Sequence, residues 1–474
     1  MKDRPLGWEM HSLVNRLFPV HRSMTGDGAR ETFDELQRLI PLTVHEVPSG
    51  TQVFDWVVPK EWRIDDAFIA TRDGKRLVDY ANSNLHVVND SIAIDATMPW
   101  SALVPHIHSL PSRPHAIPYR TAYFRQDWGF CVAHSLRESM ANINDDFYVH
   151  IDSEHFDGSL TYAECTLPGK SERSVLIYCH TCHPSLANDN LSGIAVATFL
   201  AKSLQNIDHR LTYRFVFAPA TIGAITWLAE NESTVVPLID YGLVLSLLGG
   251  GGGFTYKRSR QHNSAMDRIA VNVVHASGGE VRDFRPFGYD ERQFCSPGFN
   301  LPVGCLSRTP HGEFPEYHTS DDNLGLVTAD DLFEALHVCE RMVQKIEAST
   351  PNHRQSNTQG DPLERSHLPD ADSSPTQQSS SRERPVNRLS TCEPFLGKYD
   401  LYRGFGQHDD RGRLQEAIMW VLNLSDGRHT TSEMAERSHL EETEIVRAIT
   451  TLASTGLLDP ETIPQNIPFQ KEFK

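Results

Sequence analysis

The sequence lacks the features of a membrane-spanning or exported protein. No stretch reaches the roughly 18 apolar residues that a membrane-spanning helix needs. The first residues, Met-Lys-Asp-Arg-Pro-Leu-Gly-Trp, contain no apolar core of the kind found in a signal peptide. Eight cysteines in 474 residues are too few for a disulfide scaffold. We therefore predict a cytoplasmic protein with reduced thiols and no membrane association.

Positive charge is also in deficit. Lys and Arg total 44 against 62 Asp and Glu, so the formal net charge is −18. Phosphate contacts are the main source of nucleic-acid affinity, so this balance argues against a general nucleic-acid binder. Hydrophobic residues make up 39% of the chain, which indicates that most of it is globular.

Composition divides the chain into five segments. Residues 1–51 show two helical patterns, and residues 52–150 alternate short strand-like runs with turn residues, which predicts a β-rich inserted domain. Residues 151–348 alternate strands and helices. Residues 349–394 are dominated by polar residues and proline and are predicted to be a disordered linker. Residues 395–474 contain three short helical patterns, which suggest a winged helix.

The alternation in residues 151–348 predicts a mostly parallel sheet covered by helices. Buried strands are expected at Val175–Tyr178, Tyr213–Phe217 and Leu243–Leu248, and helices at Leu191–Leu204 and Ile222–Leu228. Active sites of such sheets lie beyond the carboxyl ends of the strands.

Three candidate metal ligands stand at suitable points of this pattern. His180 ends the first strand, Asp189 precedes the following helix, and His318 lies far downstream in the run Tyr-His-Thr-Ser-Asp-Asp-Asn. Imidazole and carboxylate are suitable ligands for Zn²⁺. The sheet can bring the three together, although a single His at a strand end is more often a hydrogen-bonded loop residue.

Two other interpretations concern the run Cys179-His180-Thr181-Cys182-His183. It matches the C-x-x-C-H pattern of covalent haem attachment, but no export signal accompanies it. A redox C-x-x-C would normally open a helix, whereas here Pro184 and Asp189 come before the helix.

The series H-T-C-H, N-D-N-L-S-G and Y-H-T-S-x-D resembles motifs of the zinc aminopeptidase clan. The match is closer to a branch with a β-rich insertion and a C-terminal winged helix, often labelled polysaccharide-biosynthesis-associated aminopeptidase-like proteins. The resemblance implies a three-layer α/β zinc-peptidase-like domain formed by residues 1–51 and 151–348. The stretches that carry it are Arg22 to Gly28, Val53 to Trp62, Ser83 to Val88, Pro118 to Thr121, Cys182 to Gly193, Phe254 to Arg260, Gly288 to Phe294 and Ser307 to Asn323.

The resemblance also implies roles for individual residues. His180 would be the first zinc ligand, Asp189 the carboxylate that bridges two metals in two-zinc members, and His318 the last ligand. His183 is an alternative to His180. Cys182 falls where the clan has an Asp that orients the first His, so this support is altered.

Other clan carboxylates are missing. Ala220 and Thr221 stand where the clan has adjacent glutamates, the first a general base and the second a metal ligand. The next acidic ligand falls near Gly250, within a run of five glycines. With three ligands remaining, we expect one zinc rather than two.

Nearby carboxylates are candidates for the missing base. Glu313 and Glu316 flank the His318 loop, and two further candidates, Asp290 and Glu291, are adjacent in the run Gly-Tyr-Asp-Glu-Arg-Gln. Each could reach a metal-bound water, although loop capping or salt bridging is the commoner role for such a carboxylate.

The third C-terminal helical pattern opens with Glu441, Glu442 and Glu444 and contains only Arg447 as a basic residue. Phosphates would repel such a helix, so a DNA-binding regulator is disfavoured. A protein partner or dimerisation through this domain is expected instead.

The sequence therefore predicts a zinc-dependent hydrolase of the metallo-aminopeptidase type that acts on a small peptide or aminoacyl amide. The alternative is a catalytically degenerate binding or assembly protein in a polysaccharide or secondary-metabolite pathway, which the loss of carboxylates at Ala220 and Gly250 favours.

Overall fold

The structure is a computed structural model, and it divides into two units. The first comprises Met1–Val343 with Thr391–Phe395, and the second comprises Gln344–Ser390 with Leu396–Lys474. The described residues are 4–349, 384–401, 410–464 and 467, so most of the predicted linker lies outside them.

Sixteen strands and twelve α-helices are described. The strands are β1 (Thr43–Pro48), β2 (Gln52–Val53), β3 (Trp56–Val57), β4 (Glu61–Thr71), β5 (Arg76–Asp79), β6 (Ile94–Met98), β7 (Ile107–His108), β8 (Phe130–Cys131), β9 (Phe147–Phe156), β10 (Ser159–Leu167), β11 (Ser171–His180), β12 (Leu211–Ala218), β13 (Ile239–Leu245), β14 (Thr255–Lys257), β15 (Glu280–Arg282) and β16 (Val303–Ser307). The helices are α1 (Arg4–Leu17), α2 (Asp27–Gln37), α3 (Trp100–Leu103), α4 (His134–Ala141), α5 (Gly193–Leu204), α6 (Ile222–Asn231), α7 (Ala265–Ala276), α8 (Glu291–Phe294), α9 (Ala329–Ala348), α10 (Asp410–Leu424), α11 (Thr431–Ser438) and α12 (Glu442–Ser454).

The first unit is built on an eight-stranded sheet. Its strand order is β1-β10-β12-β11-β13-β16-β14-β15. The central strands β12, β11, β13 and β16 are parallel, as the alternation predicts. The pairs β1–β10, β10–β12 and β14–β16 are antiparallel. β11 is buried at every position from Ser174 to His180 because both faces of the sheet are covered.

Helices pack on both faces of this sheet. Leu176 and Tyr178 of β11 share one apolar cluster with residues of α6 and α8. Successive side chains of a strand point to opposite faces of the sheet. On the other face, α5 packs against β11 and β13 and lies between the sheet and α1. The three-layer α/β architecture is therefore confirmed.

The inserted segment has its own four-stranded antiparallel sheet, with the order β5-β4-β9-β6. Its core includes Ile69, Phe147 and Val149. The predicted β-rich character is confirmed, although β9 continues past residue 150 to Phe156.

The second unit contains the three helices α10, α11 and α12. α11 begins with a capping box, in which Thr430 accepts from the Glu433 amide and the Glu433 side chain accepts from the Thr430 amide. Ile445, Ile449 and Leu452 form the buried face of α12.

Two further expectations concern the bilayer and the thiols. No helix among the described residues combines the length and the apolar character that crossing a bilayer requires. All eight cysteines are buried, and none of them forms a disulfide bond.

Candidate metal centre

The predicted ligands meet at the carboxyl edge of the parallel strands. His180 is the last residue of β11, where it pairs with Ala218 of the neighbouring β12. Asp189 lies in an irregular turn, Ala187–Ser192, where its own backbone is not helical (φ −105°, ψ 89°), and this turn leads directly into α5. His318 lies in the loop between β16 and α9.

Asp189 is the centre of the cluster. Its Oδ1 lies 2.9 Å from Nε2 of His180, and its Oδ2 lies 3.0 Å from Nε2 of His318. Nε2 of His183 is 3.8 Å from the same Oδ2. The structure therefore places His180 and His318 at the two oxygens of Asp189 and the alternative, His183, beside them. Among the described residues, the group whose ligand atoms are all close enough to share one ion is His180, His183 and Asp189, without His318.

The donor set suits Zn²⁺. One ligand atom from each of His180, His183 and Asp189 lies within 4.8 Å of the others. Burial lowers the pKa of His183 to about 3, so its imidazole is neutral and can coordinate a metal. Burial opposes ionisation of Asp189, but His183, His180 and His318 hold its pKa well below the usual range. A buried carboxylate beside a neutral imidazole suits a zinc ion.

Backbone contacts fix the Asp189 turn. The amides of Asn188 and Asp189 donate to the two oxygens of Asp322, at 2.6 and 2.9 Å. Asn188 Oδ1 in turn accepts from the amides of Gly249 and Gly250. A Cβ on Gly250 would lie 3.2 Å from the side-chain nitrogen Nδ2 of Asn188. The absence of a side chain at Gly250 therefore allows the Asn188 side chain to approach the backbone closely.

Asn190 supports His180 in place of the clan's aspartate. Its Nδ2 lies 3.2 Å from Nδ1 of His180, and its Oδ1 accepts from the Leu247 amide. Cys182 lies instead beside His183, with its sulfur 3.5 Å from Nδ1. The side chain that contacts the second ring nitrogen of His180 is thus Asn190 and not Cys182, and this contact was not predicted from the sequence.

Aromatic rings enclose the imidazoles. Tyr289 stacks on His180 with 5.4 Å between ring centroids, and Tyr317 stacks on His318 at 3.9 Å. Tyr119, from the inserted segment, packs edge-on against His318, and its amide donates to the His318 carbonyl at 2.7 Å. His318 itself has a φ of 53°, which is uncommon outside glycine.

The inserted segment therefore forms a wall of the site. No role for Tyr119 was predicted from the sequence, although this residue lies in Pro118 to Thr121, one of the stretches that carry the family resemblance.

The three glutamates proposed as bases have other partners. Glu313 is half exposed and pairs with Arg282, with 2.8 Å between Oε2 and Nη2. Glu316 lies 3.7 Å from Arg113. Glu291 is fully buried and forms an ion pair with Lys257.

Asp290 has a different environment. It is buried, and neither carboxylate oxygen has a hydrogen bond of good geometry among the described residues. Burial raises its pKa to about 6, while the charges of His180 and Arg292 act in the opposite direction.

The positions of the missing glutamates hold no carboxylate. Thr221 precedes α6, and its Oγ1 accepts a hydrogen bond from Nη2 of Arg292 at 3.3 Å. An arginine thus lies against the place that the clan's metal-binding glutamate would occupy.

Comparison with known proteins decides the family. Residues 11–349 match a family model described as a domain of unknown function, DUF4910. The chain belongs to the DUF4910 family. Residues 384–460 match a winged helix-turn-helix model, which confirms the C-terminal fold.

Relatives of this DUF4910 chain include a protein of Clostridium acetobutylicum, provisionally named a polysaccharide biosynthesis protein with an aminopeptidase-like domain. It is 40% identical over 454 residues, which are 95% of this chain and 96% of the relative. A crystal structure provisionally described as a peptidase from the same organism has a TM-score of 0.71 at 38% identity, covering 96% of this chain and 97% of that one.

More distant structures share the fold alone. A zinc aminopeptidase from Bacillus subtilis has a TM-score of 0.54 at 11% identity, covering 72% of this chain and 94% of that one. The resemblance to zinc aminopeptidases is therefore confirmed as a likeness of fold.

Proposed function

We propose that this DUF4910 protein is a zinc-dependent hydrolase of the metallo-aminopeptidase type, acting on a small peptide or aminoacyl amide. The observation that carries the proposal is the buried carboxylate of Asp189, with His180 at one oxygen and His318 and His183 at the other. A purely structural aspartate rarely has three imidazoles as neighbours at the carboxyl edge of a parallel sheet.

His180, Asp189 and His318 would hold the ion, with His183 as the alternative imidazole. Bound zinc would polarise the scissile carbonyl and lower the pKa of a bound water. Asp189 supplies the negative charge that favours a cation, and Asn190 fixes the orientation of the His180 ring. The ring of Tyr289 covers the buried imidazole of His180, and exclusion of water there strengthens electrostatic interactions, whereas the His318 side chain remains 34% exposed beside Tyr317.

Asp290 is the residue we assign to proton transfer. Its carboxylate is buried and is approached by the Tyr178 hydroxyl, and its pKa of about 6 leaves it mostly ionised at neutral pH and able to take a proton. Glu313, Glu316 and Glu291 are weaker candidates because each already faces an arginine or a lysine.

The first test combines metal analysis with hydrolysis. Purified protein should contain about one zinc per chain, measured by elemental mass spectrometry, because three strong ligands remain. It should release p-nitroaniline from aminoacyl-p-nitroanilides or cleave members of a dipeptide panel. His180→Ala and Asp189→Ala should lose both metal and hydrolysis.

A matched control is His150→Ala, since His150 faces Asp95 on the inserted sheet. This variant should keep both properties. Absence of zinc from the native protein, even after incubation with zinc salts, would contradict the proposal.

A binding or assembly role is the second candidate. It is favoured by the absence of carboxylates at Ala220, Thr221 and Gly250 and by the provisional name of the Clostridium relative. Tight zinc binding without turnover of any substrate in the panel would support this candidate over the hydrolase.

A further inference from the structure

A short segment that begins within the last residues of the predicted linker, residues 349–394, lies against the first unit. Thr391–Phe395 belongs to that unit, although the chain on either side of it belongs to the second. We call these five residues the strap.

The strap is held as a bound peptide is held. The amides of Cys392 and Glu393 donate to Ser296 Oγ and Gln293 Oε1, at 3.0 and 2.9 Å. The Phe395 amide donates to Asp55 Oδ2 at 2.9 Å.

Aromatic contacts hold the other end of the strap. Nε1 of Trp56 donates to the Glu393 carbonyl at 2.8 Å. The ring of Phe395 packs between Trp56 and Phe124, with centroid distances of 4.6 and 5.2 Å. These backbone hydrogen bonds and the aromatic contact fix the position of the strap.

The Glu393 side chain connects the strap to the candidate site. Its Oε2 lies 2.8 Å from Nε of Arg292, and both side chains are largely buried. Nη2 of the same arginine donates to Oε1 of Glu393 at 3.1 Å and to Thr221 Oγ1 at 3.3 Å. Arg292 therefore joins the strap to the position of the missing glutamates.

The charges of Arg292 and Asp290 also interact. Burial opposes the charge of Arg292, but Glu393 and then Asp290 raise the pKa of this arginine. The two carboxylates thus share one guanidinium. Without Glu393, the full positive charge of Arg292 would act on Asp290 and hold its proton-accepting oxygens.

We propose that the strap is a built part of the candidate site and that Glu393 is a positioning residue, which acts by holding the Arg292 guanidinium against Thr221. The positioning role rests on the proposed hydrolase function, whereas the docking of the strap does not.

Hydrogen exchange of the full-length protein tests the docking. The amides of Cys392, Glu393 and Phe395 should exchange at least about tenfold more slowly than in an unstructured peptide, because each donates to a side chain of the first unit. Glu393→Gln should speed exchange in the strap, whereas Glu35→Gln, which removes a surface partner of Arg16, should not. Exchange at unstructured rates in the native protein, or an unchanged strap in Glu393→Gln, would overturn the docking.

Kinetics test the positioning. Glu393→Gln should lower kcat on the order of tenfold, as expected when a base is held in an ion pair, with zinc content and KM little changed. In an Arg292→Met background the same substitution should have no further effect, since Glu393 acts through that arginine. Equal losses in both backgrounds, or an unchanged kcat in Glu393→Gln, would overturn the positioning role.

The two arms separate failure of the strap from failure of the hydrolase. Exchange rates need no turnover, so a protein without activity on the substrate panel still gives a result for docking. A protected strap in an inactive protein would support docking and overturn the positioning role together with the hydrolase proposal.

Discussion

Asp290 is the single residue on which the proposed proton transfer depends. Asp290→Asn keeps the volume of the side chain and removes its ability to accept a proton. We expect kcat to fall about 10²–10⁴-fold, the usual loss when a general base is removed. Zinc content should stay near that of the native protein, because Asp290 is not among the three assigned ligands.

The control for this substitution is Asp240→Asn. Asp240 is the second residue of β13, at the amino edge of the parallel strands and so opposite the candidate site, and it forms an ion pair with Arg173. Its replacement should leave kcat unchanged, and an Asp290→Asn variant of native activity would exclude Asp290 as the base.

The pH dependence of activity should report the same carboxylate. Burial raises the pKa of Asp290 to about 6, and only the ionised form accepts a proton. The value of kcat/KM should therefore be constant above that pH and fall as the pH decreases through about 6. Asp290→Asn should remove this dependence from the residual activity. A native profile that is flat down to pH 5 would contradict the assignment.

The positions of the candidate ligands could be predicted from the sequence better than their surroundings. His180 ends a strand and Asp189 precedes the next helix, so both are expected at the carboxyl edge of the sheet, and His318 comes from the motif that resembles the zinc aminopeptidase clan. The roles of Asn190 and Asp322 could not be predicted in this way. They depend on hydrogen bonds within an irregular turn, for which the sequence has no period.

Among the structural elements, the connection between α1 and β11 is controlled by Arg22. This arginine is 1% exposed, and it donates to the carbonyls of Leu17 and His183 at 2.7 and 3.0 Å. Arg22 therefore links the turn that contains His183 to the last residue of α1, Leu17.

Arg22→Met should destabilise the first unit and loosen the site. It leaves two buried carbonyl groups without charged donors, which typically costs about 1–3 kcal/mol for each unsatisfied group. Urea unfolding measures the loss, and competition with a zinc chelator measures metal affinity, which should fall. Arg22→Lys should recover only part, since a single ammonium lacks the planar fork that reaches both carbonyls. Native stability in Arg22→Met would show that the contact contributes nothing.

The strands and helices of the first unit could be predicted because their buried residues form continuous apolar runs in the sequence. β11 and β12 stand out as short apolar runs, and α5 as a long one. The loop of the inserted segment that contains Tyr119 was not predictable. It meets the His318 loop through Ile117 and Ser320, a contact between residues about 200 positions apart.

At the scale of the whole molecule, charge opposes a nucleic-acid role for the winged helix. The chain carries a net charge of −18, and Glu441 and Glu444 form the capping box that begins α12. Retention on DNA depends on release of counterions by Lys and Arg, so an acidic leading helix gains little from phosphates. We expect the full-length protein to pass through a DNA column at about 50 mM salt, where such binding is strong. Retention that is released by a salt gradient would contradict this expectation and favour a DNA-binding regulator over a module for protein contacts.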